Sequence, residues 1–131
     1  MTWKILIIDE VHPSMIEIFK SSNIEFNYKP DLNREQALAI IDQYHGVVLR
    51  SKILADKEFI DKGVSLKVIG RTGAGMETID IPYAESKGIA CINSPEGNRD
   101  AVGEQAIGML LSLMNNLNKA EREVRSLKWD R

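Results

Sequence analysis

The chain is poor in the residues that build most reactive centres. Of 131 residues, one is cysteine and two are histidine. A single cysteine excludes an internal disulfide, and no Cys/His spacing suits a metal cluster. Cys91 lies in the apolar run Ile89-Ala90-Cys91-Ile92 and reads as a buried strand residue, not a nucleophile. His12 stands beside Pro13 and His45 follows Tyr44. Neither has a carboxylate partner at a fixed spacing, so both read as surface or turn residues. The formal net charge is only −2, which gives no basis for binding nucleic acid or an anionic membrane. The apolar run 106–114 is too short and too interrupted to span a bilayer. The N-terminus enters a strand pattern within a few residues and shows no signal-peptide pattern, so a reducing cytoplasm is the expected location. Internal repeats and low-complexity stretches are also missing.

What is present is an alternation of apolar runs and helical patterns. With 44% hydrophobic and 27% charged residues, the chain fits one soluble domain that buries roughly two-thirds of its unfolded surface. Residues 4–8 (KILII) form an unbroken apolar run, as expected of a strand covered on both faces. Pro13 suits the first turn of a helix with Met15, Ile16 and Phe19 on one face. Further strands are predicted at 25–29, 46–49, 66–69 and 90–92. Helices are predicted from the Asn33 cap through Ile41, over 54–62 up to Gly63, and from Pro82 to Gly88. Such an order implies an α/β fold: a parallel five-stranded sheet with flanking helices and right-handed crossovers. By analogy the strand order is flavodoxin-like. Residues 99–118 read as one long helix whose apolar stripe (Val102, Ile107, Leu110, Leu113, Met114, Leu117 among others) is wider than a small domain's surface helix needs. A charged helix or linker with Leu127 and Trp129 follows.

In parallel sheets ligands bind beyond the carboxyl ends of the strands. Segments 50–52, 72–76 and 93–98 are placed there. The stretch 67–80, KVIGRTGAGMETID, runs from a strand through a glycine-rich turn into a helical start. Exposed backbone N–H groups in such a turn face an anion. The dinucleotide fingerprint needs a third glycine, and position 78 is Thr, so a smaller anion such as a carboxylate is expected. Arg50 can hold a carboxylate in two hydrogen bonds, Ser51 can add a hydroxyl, and the N–H groups of Ala74 and Gly75 can face the same group. On local pattern alone, a solvated strand-end Arg50 and a plain turn through Gly73 and Gly75 explain these residues equally well. A phosphorylation-dependent receiver domain shares the sheet and has an acidic pair like Asp9-Glu10, but it needs a phospho-accepting Asp where this chain has Leu49-Arg50-Ser51. Glu77 and Asp80 read as caps of the following helix.

Four motifs taken together, VVLRSK at 47–52, KVIGRTGAGMETID at 67–80, GIACINSPEGN at 88–98 and AVGEQAIGMLLSL at 101–113, resemble the D-isomer-specific 2-hydroxyacid dehydrogenases. LKWDR at 127–131 is similar to that family's junction into its cofactor domain. Departures are small: Met76-Glu77-Thr78 replaces a common Val-Asp-Asn, and Gly103 a common Ala.

The resemblance implies a longer polypeptide in which a substrate domain, built from the N-terminal part and a returning C-terminal segment, flanks a Rossmann domain that binds NAD. Residues 1–98 would be the N-terminal part of the substrate-binding domain, and 99–131 the interdomain helix and linker. The Rossmann domain would begin about where Arg131 stands, and the family's catalytic Arg, Glu and His would lie beyond it. The expectation is thus a fragment, inactive alone, with no catalytic residue of its own. Carried over by position, Arg50, Ser51, Gly73, Ala74 and Gly75 would bind substrate, and Val102 would approach the nicotinamide. Residues 93–98 would form the interdomain hinge. Within the family the motifs look most like the branch that oxidises 3-phospho-D-glycerate with NAD on the way to L-serine. Lys52 is then a candidate reader of the phosphate, with a solvated lysine the equal alternative. Glyoxylate/hydroxypyruvate reductase, D-lactate dehydrogenase and formate dehydrogenase remain open, as does a non-catalytic corepressor-type relative. The implied assembly is a homodimer, or an oligomer exchanging the 101–128 helix, because the long helix leaves an apolar patch exposed.

Overall fold

A computed structural model describes residues 3–128. Trp129, Asp130 and Arg131, expected in a linker and interdomain junction, lie outside the described residues. The chain divides into two compact units, one through Pro95 and one from Glu96.

The first unit holds five strands: β1 (Lys4–Ile7), β2 (Glu25–Tyr28), β3 (Gly46–Leu49), β4 (Val68–Arg71) and β5 (Ala90–Ile92). All pair in parallel, in the order β2-β1-β3-β4-β5. This is the flavodoxin-like order expected. Between them run α1 (Pro13–Ser21), α2 (Arg34–Leu38), α3 (Lys57–Lys62) and α4 (Ile81–Ser86). The apolar run of β1 feeds both faces, because successive side chains point oppositely. Leu6 and Ile8 enter a large cluster with Val47, Leu49, Phe59 and Ile69, while Ile5 and Ile7 join Val48 against Met15, Ile16 and Phe19 of α1. The α1 side is open over β5, where Ile92 is 57% exposed.

Local chemistry explains where elements start and stop. Pro13 opens α1 with the His12 ring accepting from Ser14 N–H. Asn33 and Gln36 form a reciprocal capping box on α2. The predicted helix to Ile41 stops instead at Leu38, and a separate 3-10 turn spans Ile41–Gln43. The helix predicted at 54–62 begins only at Lys57. Ala55 is held in a bridge to Ile79, and Asp56 caps the helix by accepting from Phe59 N–H at 3.1 Å. The fourth strand lies two residues later than predicted, because Gly70 and Arg71 continue the ladder opposite Val48 and Leu49. Glycine and arginine read as turn chemistry, but the partner strand decides.

In the second unit, α5 (Arg99–Met114) and α6 (Leu117–Arg125) replace the single helix expected over 99–118. The break falls at Asn115-Asn116. Asn116 adopts the left-handed conformation (φ 53°), which asparagine tolerates better than most residues, and α5 cannot continue through it. Apolar residues are spread around α5 instead of lying in one stripe, and no described residue of either helix is buried.

Candidate functional site

The parallel strands of the first unit all end at one edge. The residues after β3, β4 and β5 (50–52, 72–76 and 93–95) therefore emerge there together. Glu96, Gly97 and Asn98, expected with them, belong to the second unit.

Asp9 follows β1 and is buried, and its carboxylate accepts the Arg50 N–H at 2.6 Å. That bond fixes the backbone where β3 ends. It also gives Asp9 a structural task in place of the receiver-like acidic role. The Arg50 side chain and Ser51 are exposed, and neither side chain has a hydrogen-bond or ion-pair partner among the described residues.

Behind them stands Arg71, the last residue of β4, with a side chain only 10% exposed. Its Nε donates to the Arg50 carbonyl at 2.9 Å, one terminal nitrogen donates to the Gly75 carbonyl, and the other pairs with Glu77 at 3.0 Å. One rigid guanidinium thus spans the end of β3 and the glycine turn, a match for its planar fork. Glu77, expected to cap α4, is spent on this pair. Asp80 alone is the cap, accepting from Tyr83 N–H at 3.2 Å.

The turn itself is held by its carbonyls. Ser94 N–H donates to the Gly73 carbonyl at 3.0 Å, Asn93 Nδ2 to the Ala74 carbonyl at 2.6 Å, and Arg71 to the Gly75 carbonyl. A trans peptide is planar, with its C=O and N–H pointing in opposite directions. All peptides of the described residues are trans. Tying three successive carbonyls inward therefore turns the N–H groups of Ala74, Gly75 and Met76 the other way. None of these three N–H groups has an acceptor among the described residues, and Ala74 and Gly75 are exposed. Three adjacent N–H groups are thereby left without an acceptor and available to an anion.

The turn lacks the third glycine of a dinucleotide loop, with Thr at 78, and the exposed Glu77 carboxylate lies against Gly75. Lys52, the candidate phosphate reader, donates its ammonium to the Pro30 carbonyl at 2.6 Å. Val102 lies on α5 in the second unit, exposed. Cys91 is partly buried on β5, and burial, with the nearby Glu85 charge, pushes its thiol up, as expected of an unreactive strand cysteine.

The structure brings together the backbone of Arg50 with Gly73, Ala74 and Gly75. It adds three residues to which the sequence reading gave no such role: Asp9, Arg71 and Asn93. Arg71 carried one available signal, a cation within an apolar strand directly before a glycine turn. The tasks of Asp9 and Asn93 depend on residues 41 and 19 positions away.

Comparison with known proteins gives a consistent picture. A family model described as "D-isomer specific 2-hydroxyacid dehydrogenase, catalytic domain" matches residues 5–125. D-3-phosphoglycerate dehydrogenases of Archaeoglobus fulgidus and Synechocystis are 32% and 34% identical over 98% of this chain. The chain spans only 24% and 23% of their lengths. Among solved structures, the PH0520 protein of Pyrococcus horikoshii superposes with a TM-score of 0.90 over the whole chain and 39% of its own, at 21% identity, a likeness of fold. An NAD+-bound 3-phosphoglycerate dehydrogenase of Entamoeba histolytica gives 0.69 over 86% of this chain and 39% of its own, at 29% identity.

Proposed function

We propose, from the premise that this chain belongs to the D-isomer-specific 2-hydroxyacid dehydrogenase family, that its glycine turn is the carboxylate-binding half of a two-part active site. The ligand is a small 2-hydroxy or 2-keto acid. Its carboxylate accepts from the N–H groups of Ala74 and Gly75 at the Gly73 turn, the Arg50 guanidinium provides the counter-charge, and Ser51 adds a hydroxyl donor. One observation carries this reading: three successive carbonyls are tied inward and three N–H groups are left unclaimed, near an arginine whose side chain has no partner among the described residues. Holding the carboxylate at both ends of one donor set fixes the C2 carbon in position for reaction, the contribution expected of a positioning domain.

The whole protein, in this reading, oxidises 3-phospho-D-glycerate to 3-phosphooxypyruvate. C2 loses a hydride and its hydroxyl loses a proton. The names of the relatives at 32% and 34% identity support that substrate. NAD, when bound, supplies the hydride acceptor. The missing third glycine supports placing most of that binding in another part of the protein, with only Val102 of this chain against the nicotinamide. Residues 1–98 act as the substrate side and 99–131 as the connection. The exposed Leu110, Leu113, Met114 and Leu117 pair with a second copy of the chain, as a homodimer or by helix exchange.

Two measurements test the catalytic reading. The pure 131-residue chain with 3-phosphoglycerate and NAD should give no NADH absorbance, since it carries no acid/base histidine at the turn. In an NMR titration, 3-phosphoglycerate should shift the Ala74 and Gly75 amides, and Arg50→Met should weaken that binding roughly 10- to 100-fold, the worth of a charge-assisted hydrogen-bond pair. NADH production by the pure chain, or unchanged affinity in Arg50→Met, would overturn the assignment.

A further inference from the structure

We propose that Arg71 and Asn93 are positioning residues that aim the anion-binding N–H groups without touching the ligand. The inference rests on the carboxylate-binding reading of the turn and deepens it. Backbone N–H groups bind an anion only while several of them converge, and an exposed glycine-rich turn has enough freedom to lose that arrangement. Here each relevant peptide is held by its opposite end. Asn93 grips the Ala74 carbonyl, which aims the Gly75 N–H. Arg71 grips the Gly75 carbonyl, which aims the Met76 N–H. Through Nε, Arg71 also holds the Arg50 carbonyl, keeping the turn in register with the strand end that carries the ligand's counter-charge.

Arg71 is suited to orienting and not to binding. Its side chain is 10% exposed, and all three of its nitrogens are engaged, one of them by the Glu77 carboxylate. Glu77 neutralises much of its charge at that position. The ligand's charge therefore falls to Arg50, which has no such partner, and the two arginines divide the labour between holding the anion and shaping its seat. Glycine at 75 is part of the same device, since a Cβ there would press on both Arg71 and the Glu77 carboxylate.

The test is a residue-resolved NMR titration of the 131-residue chain, with glycolate as a carboxylate-only probe and with 3-phosphoglycerate. Wild type should show saturable shifts at the Ala74, Gly75 and Met76 amides. Asn93→Ala, at an exposed position where folding is safe, should weaken glycolate binding about 5- to 10-fold. It should also abolish the Gly75 shift. Arg71→Met should weaken binding tenfold or more. Arg71→Lys separates positioning from folding: lysine restores a cation for Glu77, so the thermal midpoint recovers. One ammonium cannot span both the Arg50 and Gly75 carbonyls, so binding does not recover. Should Arg71→Met fail to fold, Asn93→Ala and Arg71→Lys decide the matter. Wild-type affinity and shifts in Asn93→Ala, or full recovery of binding in Arg71→Lys, would overturn the positioning role and leave the anion site standing. A wild-type chain whose turn amides ignore both probes would overturn the site itself and the proposal with it.

Discussion

The two units of this chain treat their apolar residues in opposite ways. In residues 3–95, β1, β3 and β4 sink their side chains into two clusters, so that Leu6, Ile7, Ile8, Leu49, Phe59 and Ile69 have no exposed surface. In residues 96–128 no described side chain is buried, and Leu113 and Met114 stand 75% and 70% exposed. Both regions are rich in leucine, isoleucine or methionine; what separates them is the number of layers. A sheet flanked by helices closes on itself, whereas two helices joined by a short turn leave most of their surface without a partner. The proposed anion site therefore lies wholly on the sheet unit, and the helical unit leaves its apolar side chains exposed.

The largest predicted contrast lies in core truncation. Phe59→Ala should cost about 3–5 kcal/mol, whereas Leu113→Ala should change monomer stability by less than about 0.5 kcal/mol. Urea unfolding of both variants measures this, and equal losses would erase the distinction between the units.

Next comes association. If the exposed surface of α5 is covered by a second copy, multi-angle light scattering should find the wild-type chain above monomer mass at high concentration. Leu113→Glu should shift dissociation by tenfold or more, since it places a charge in an apolar contact. A clean wild-type monomer would remove the second copy as the partner.

A smaller effect is expected at the helix break. Asn116→Ala should cost about 1 kcal/mol of helical stability, because alanine pays the left-handed penalty that asparagine partly escapes, and Asn116→Gly should be neutral or better. Circular dichroism during thermal melting would register it. A gain from alanine would mean that α5 and α6 prefer to fuse.

The smallest effect is set by pH and confined to the sheet unit. Burial raises the Asp56 carboxyl, but the Arg34 hydrogen bond and the Phe59 N–H outweigh it and hold it below its ordinary value. A carboxyl lowered on folding adds stability above its unfolded value, about 4, and loses that contribution as pH falls through the folded value. Urea midpoints measured from pH 7 down to 3 should therefore fall, and Arg34→Met should flatten the acid limb. Asp56 is half exposed, so the change will be modest.

Much of the sheet unit is legible in the sequence. The unbroken apolar run of β1 announces a strand covered on both faces, and Pro13, Asn33 and Gly63 mark helix ends that the structure uses. Boundaries failed where a distant partner intervened: β3 draws Gly70 and Arg71 into β4, and Ile79 keeps Ala55 out of α3. At Asn115-Asn116 hydrophobic periodicity outweighed a local stop signal that was already visible. The glycine turn and Arg50 were legible as a possible anion site because their chemistry is local. The grip of Arg71 and Asn93 was not, since a side chain's partner across the sheet leaves no trace in spacing.

By itself the sequence determined the kinds of element and their order, and pointed to an anion at the 73–75 turn. These depend on each residue's own backbone preference and polarity, which travel with the chain. Only the tertiary structure decided the register of β4 and the direction in which the turn's N–H groups point. Each of those is set by groups far apart in sequence, Leu49 with Arg71 or Asn93 with Ala74, whose hydrogen bonds exist only once the strands lie side by side.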